Sequence, residues 1–190
     1  MHEPLVHHIR RYVALSDDEV SMLLPYLHTY TLAKKDYLLK AGHVCKAHYF
    51  VTKGCLRMYF LQEHMEAEQT TQFALENWWI TDHMSLFHQN ASQFFIQAVE
   101  PAEVIAIDKT AEEEMYSQLP QLERYFRLML QRAYGASQLR IKYIYGSTGA
   151  ERYHHFASSF PDFMQRIPQY MLASYLGFSA EFLSKIRARK

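Results

Sequence analysis

Much of what this chain could be is excluded by what it lacks. It has no uninterrupted apolar stretch of about 18 residues, so nothing in it is built to cross a bilayer as a helix. Its start, Met1-His2-Glu3-Pro4, has neither a basic nor an apolar leader segment, and no secretory signal is expected. It has only two cysteines, Cys45 and Cys55. They read as ordinary buried or half-buried thiols, and their spacing is not the C-x-x-C of a zinc or redox site, which points to a reducing cytoplasm. A P-loop, a G-x-S-x-G elbow and an H-E-x-x-H helix are all missing, as are internal repeats and low-complexity stretches. No Arg or Lys occurs between Met65 and Pro101. Net charge is zero as well, with 20 basic and 20 acidic residues.

What remains is a chain of 190 residues, 49% apolar and 15% aromatic, enough for one large or two small domains with a packed core. The zero charge is unevenly spread. From Ser137 to Lys190 there are eight Lys or Arg and three Asp or Glu, a local net of +5. A neutral protein can still hold a polyanion where its positive charge is concentrated.

The pattern along the chain predicts a mixed α+β protein. A short helix is expected over residues 3–14. Ser16-Asp17-Asp18-Glu19 reads as a capping box opening a helix that Pro25 ends. From about Tyr26 to Asp108, short stretches rich in β-branched and aromatic residues alternate with turns such as Lys40-Ala41-Gly42 and Lys53-Gly54. These predict strands at 30–32, 37–39, 48–52, 56–61, 68–74, 94–99 and 103–107, the signature of an antiparallel barrel or jelly roll. Thr110 is expected to cap a short helix whose first turn holds Glu112, Glu113 and Glu114. A long helix then runs from near Pro120 to about Tyr145. Leu119, Leu122, Phe126, Met129, Ala133 and Ala136 recur at alternating spacings of 3 and 4, an a/d seam suited to a homodimer through residues 119–145. Gly146-Ser147-Thr148-Gly149 marks a hinge, with Arg152 expected to support it.

The last two dozen residues read as two short helices joined by a tight turn. Pro168 suits a first turn, Met171, Leu172, Tyr175 and Leu176 keep helical spacing, and Gly177 suits a left-handed C-cap. Ser179 can cap the next helix, whose apolar face is Phe182, Leu183 and Ile186, with Glu181, Ser184, Lys185, Arg187 and Arg189 elsewhere around it. This is the helix-turn-helix unit, whose second helix enters a DNA major groove.

Barrel, long helix, hinge and terminal helix pair, in that order, resemble the Crp/Fnr family of transcription regulators. Leu39-Lys40-Ala41-Gly42 and Tyr49-Phe50-Val51-Thr52-Lys53-Gly54-Cys55-Leu56-Arg57 are similar to the family's barrel core. Pro168-Gln169 through Gly177-Phe178-Ser179, with Glu181, Leu183, Ser184 and Lys185, is similar to its reading head. The resemblance implies three parts: a sensor domain over 1–118, a dimerisation helix and hinge over 119–146, and a DNA-binding domain over 147–190. It further implies a cytoplasmic, non-enzymatic, homodimeric regulator of double-stranded DNA, with RNA polymerase as a further partner if the protein activates. Ser179 and Ala180 would open the recognition helix, Glu181, Ser184 and Lys185 would read bases, and Gln169, Arg187 and Arg189 would lie against the DNA as well. Relatives often carry Arg where this chain has Ala180 and Lys185, so their base preference does not carry over.

The sensor half departs from the members that bind cyclic nucleotides. Those place a Gly-Glu pair and, some ten residues on, an Arg that clamps the cyclic phosphate. The corresponding stretch here is 79–94, where Asp82 could stand for the acid and no cation is available. No cofactor and no cAMP-type ligand are therefore expected. A different small effector would meet Thr81, Asp82, His83, Ser85 and, from the long helix, Ser137. Two cysteines cannot supply an iron–sulfur cluster, while the eleven histidines leave haem ligation open. His43, Cys45 and His48 lie close in sequence but lack a fourth ligand for a closed metal site, and no metal is assigned. No catalytic residue is assigned either. The competing reading is a cupin-like small-molecule-binding barrel or enzyme, which would need inward-facing His and Glu ligands on neighbouring strands.

Overall fold

A computed structural model describes residues 2–62 and 67–188 of the chain. They form two compact units. One takes residues up to Met58 and Phe73–Gln131; the other takes Tyr59–Gln72 and the residues from Arg132 onward. The class is the expected one, antiparallel sheets with a long helix and a terminal helix pair.

In the first unit, strands β1 (Leu27–Leu32), β8 (Ala102–Asp108), β3 (Ala47–Lys53) and β6 (Trp79–Ile80) form an antiparallel sheet in that order. A second sheet has the order β2 (Tyr37–Leu39), β7 (Phe95–Ala98), β4 (Leu56–Gln62) and β5 (Ala67–Ala74). Strand alternation sorts the first sheet's side chains between two cores. Tyr49, Val51, Val104 and Ala106 pack with Leu56, Ala74, Ile96 and Ala98 of the second sheet. Phe50, Ile105 and Ile107 point to the opposite face, where helices α1 (Glu3–Arg10), α2 (Asp17–Leu23), α4 (Lys109–Gln118) and the start of α5 (Gln121–Gly146) cover them through Leu5, Ile9, Leu23, Met115 and Leu122. The Tyr125 ring is fully buried there, its hydroxyl 2.7 Å from His8 Nδ1 and accepting from Trp79 Nε1 at 2.9 Å. Gly54 makes the β3–β4 turn at φ +89; a Cβ there would lie 2.4 Å from the Pro101 carbonyl oxygen and 2.8 Å from Ala102 Cα, so no L side chain fits.

Several expectations need correction. The first helix stops at Arg10, because Val13 and Leu15 are drawn into the core before the Ser16 capping box starts α2. Thr110 does not cap α4; the helix starts at Lys109, whose N–H donates to the Lys46 carbonyl beside β3 at 2.8 Å. Strand β6 and helices α3 (His83–His88) and α7 (Pro161–Arg166) were not anticipated. Leu119, Leu122 and Phe126 of the a/d seam belong to the unit's own core rather than to a free face. Ala133 and Ala136 of the seam stay exposed, and the large apolar side chains α5 leaves exposed are Leu130, Tyr134, Leu139, Ile141, Ile144 and Tyr145.

Glu112 is more than a charge in a helix start. Its carboxylate lies 3.5 Å from His48 Nε2, accepts from Lys109 Nζ at 2.5 Å and from the Tyr116 hydroxyl at 3.0 Å. Hydrogen bonding to His48, reinforced by Lys109, outweighs partial burial and pulls its pKa from 4.5 to about 2. A carboxyl depressed on folding stabilises the protein above its unfolded pKa and loses that contribution as pH falls through its folded one. Glu112 therefore contributes fully above about pH 4.5 and progressively less down to about pH 2. Thermal unfolding at pH 7, 4.5 and 3 should show a shallower acid decline for Glu112→Gln than for the natural chain, which starts from the higher midpoint.

Candidate nucleic-acid interface and sensor segment

The second unit holds helices α6 (Gly149–Ser159), α7, α8 (Gln169–Leu176) and α9 (Ala180–Ala188), the last two forming the terminal helix pair. Thr148 caps α6 by a reciprocal box, accepting from the Glu151 N–H at 3.3 Å while Glu151 accepts the Thr148 N–H at 2.7 Å. Arg152 Nη1 donates to the Ile144 and Ser147 carbonyls at 3.0 and 2.9 Å, so it supports the break between α5 and α6 as expected. Pro168 sits one position earlier than expected, at the N-cap of α8, where its carbonyl accepts from Met171 and Leu172.

The turn between α8 and α9 is a Schellman motif. Gly177 is left-handed at φ 79, its N–H bonded to the Ser174 carbonyl at 3.2 Å, while the Phe178 N–H reaches the Ala173 carbonyl at 3.1 Å. Ser179 then caps α9, accepting from the Phe182 N–H at 3.2 Å. The same hydroxyl is the main reason the exposed Glu181 carboxyl is held below its ordinary pKa. Leu183 and Ile186 are buried, but Phe182 is 43% exposed, so it is not part of the buried face; its ring lies edge-on to Phe178 at 5.3 Å and against Gly149.

Gln169, Ser179, Ala180, Glu181, Ser184, Lys185 and Arg187 are all exposed, and all but Gln169 lie on α9 or at its start. Arg189 lies outside the described residues. Sequence reasoning misses two polar residues of this unit, Arg140 and Ser174: Arg140 reaches the Thr70 carbonyl 70 positions away, and the Ser174 hydroxyl reaches the Glu68 carbonyl and the Thr70 N–H, 106 and 104 positions away, which no local pattern reports.

The sensor stretch, in the first unit, brings Thr81, Asp82 and Ser85 together, all buried. Asp82 caps α3, with Oδ1 accepting from the Met84 and Ser85 N–H groups at 3.1 and 3.2 Å and Oδ2 from the Ser92 hydroxyl at 2.6 Å. The Ser85 hydroxyl donates to the Asn90 carbonyl at 2.6 Å and accepts from the Cys45 N–H at 2.9 Å. Thr81 donates to the Ile80 carbonyl at 2.7 Å. His83 is exposed, its ring 5.9 Å from that of His48; desolvation and then the His48 charge hold its pKa below the ordinary value. Ser137 is exposed on α5 and donates to the Ala133 carbonyl of its own helix at 3.0 Å. The buried Arg57 guanidinium is engaged by Gln97 Oε1 at 2.6 and 3.1 Å.

Residues 30–118 match the cyclic nucleotide-binding domain family. The whole arrangement is similar to FixK2 from Bradyrhizobium japonicum, at 15% identity and TM-score 0.74 over 86% of this chain and 83% of that one. It is equally similar to CLP, the c-di-GMP responsive global regulator of Xanthomonas campestris, at 13% identity and TM-score 0.73 over 92% and 91%. A protein of Eubacterium rectale described as a Crp/Fnr-family transcriptional regulator gives 15% and 0.70 over 92% and 83%. The chain shares the fold of these proteins. No curated protein sequence matches it. Among the described residues, no helix is long and apolar enough to cross a membrane.

Because the left-handed Gly177 carries the turn, Gly177→Ala should cost about 1 kcal/mol by conformation alone, with no clash to add to it. Amide exchange should report this as faster opening of α8 and α9, with the barrel strands unchanged.

Proposed function

We propose that this chain is a sequence-specific DNA-binding transcriptional regulator acting as a homodimer. The observation that carries the reading is α9: a helix launched from a Schellman turn, anchored by Leu183 and Ile186, and presenting Glu181, Ser184, Lys185 and Arg187 to solvent. An acidic side chain there accepts from cytosine N4 and a Lys donates to guanine O6 or N7, while Arg187 touches phosphate. Residues 1–118 act as the sensor part, 119–146 as the connecting helix and 147–190 as the reading part. The second copy covers the exposed apolar row of α5, Leu130, Tyr134, Ile141 and Ile144, whose spacing of 4, 7 and 3 keeps one helix face. Two heads then meet half-sites about one helical turn apart.

The test is selection of binding duplexes from a random pool at low salt, followed by titration. Arg187→Ala should weaken all sequences alike and flatten the plot of log K against log salt by about one unit. Lys185→Ala should relax preference at one base position, at a cost of about 1–3 kcal/mol for the preferred duplex. If no duplex is retained at low salt, the reading fails.

In this reading the sensor does not take cAMP. The acidic cap Asp82 is engaged by α3 and Ser92, and the stretch from Met65 to Pro101 offers no cation for a phosphate. Millimolar cAMP should leave the thermal midpoint unmoved; a rise of several degrees would overturn this part alone.

A further inference from the structure

We propose that Arg140 and Ser174 form a clamp that sets the bearing of the reading head by holding the strand segment 67–72 against α8. The inference rests on the DNA-binding reading and names two positioning residues for it.

Strand β5 is the edge of its sheet, and an edge strand presents unpaired N–H and C=O groups. Along residues 67–72, which belong to the same unit as α8, these groups meet side chains of α5 and α8. The Ser174 hydroxyl donates to the Glu68 carbonyl at 2.6 Å and accepts from the Thr70 N–H at 2.8 Å. That carbonyl and that N–H face the same side of the strand, so one hydroxyl takes the place of a neighbouring strand and fixes which residues of β5 lie against α8. Gln69 Nε2 donates to the Ser174 carbonyl.

Arg140, from α5, completes the clamp. Nη1 donates to the Thr71 carbonyl, and Nη2 donates to the carbonyls of Thr70 and Tyr175, both at 3.1 Å. The guanidinium lies 4.3 Å from the centroid of the Tyr175 ring. Tyr175 is in the last turn of α8, where carbonyls lack helical partners and a cation complements the dipole. Desolvation pulls the Arg140 pKa down, and its partners among the described residues are carbonyls and a ring face, with no carboxylate. Such a fork of donors cannot be copied by Lys, a point charge. Arg140 Nε and Thr70 Oγ1 are buried without a hydrogen-bond partner among the described residues. Those two costs offset part of what the clamp gains, which suits a contact that orients more than it stabilises.

The clamp acts on the residues that launch α9. The Ser174 carbonyl also accepts the Gly177 N–H of the Schellman turn, and α9 opens three residues later. With the clamp closed, Glu181, Ser184, Lys185 and Arg187 remain exposed. The closed form is thus the one prepared for DNA, and preorganisation tightens binding.

The experiment uses the full chain, with Ser174→Ala and Arg140→Lys as separate variants. Amide exchange is read at Thr70, and affinity is read for the selected duplex across a salt series. The clamp predicts faster Thr70 exchange and roughly five- to tenfold weaker duplex binding in each variant. The salt slope should stay at the natural value, because no phosphate contact is removed. Equal or tighter duplex binding in both variants overturns the proposal, as does unchanged Thr70 exchange. A natural chain that binds no duplex removes the DNA-binding reading and the clamp's role with it. That outcome is distinguishable, because Thr70 exchange still responds to Ser174→Ala when only the DNA reading has failed.

Discussion

The first sheet is apolar on both faces, and the rest of its unit follows from that constraint. Val104 and Ala106 must be covered on one side, Ile105 and Ile107 on the other. The second sheet supplies one cover. The other has to come from helices, because Phe50 and the isoleucines leave a surface too broad for a loop. Chain segments from both ends of the unit are recruited for it, α1 and α2 from before the strands and α4 and α5 from after them. Tyr125 shows how firmly the cover is fixed: a fully buried ring whose hydroxyl meets both an N-terminal histidine and a strand tryptophan. The opening turns of α5 are therefore core before they can be anything else.

That explains where the sequence could be read and where it could not. Strands β3, β4, β5 and β8 were legible because β-branched and aromatic runs between turn residues carry the period of a strand. Strand β6 has two residues and α3 six, too few to show any period. The a/d seam was a true apolar stripe, but spacing does not say what covers a stripe; Leu119, Leu122 and Phe126 are covered from within. Phe182 was placed on the buried face by its neighbours in sequence, yet it rests on Phe178 and Gly149 at the surface.

The two candidate sites differ in the same way. The terminal helix pair is local: the Pro168 start, the Gly177 turn and the Ser179 cap each act within a few residues, so their chemistry is written in adjacent letters. The sensor stretch is not. Ser85 meets a backbone N–H 40 positions away and Asp82 a hydroxyl ten positions on, and those bonds decide which polar atoms are engaged. Glu112 looked like a solvated first-turn acid because its partner His48 lies on a distant strand.

Both native thiols are sealed. Cys45 and Cys55 have no exposed surface; each donates weakly to a nearby carbonyl, and desolvation pushes the Cys45 pKa up, away from the reactive thiolate. Maleimides consequently find no cysteine thiol at the surface of the folded protein. A cysteine engineered at any surface position becomes the one thiol available for a fluorophore or spin label, so distances can be measured without first deleting the natural pair.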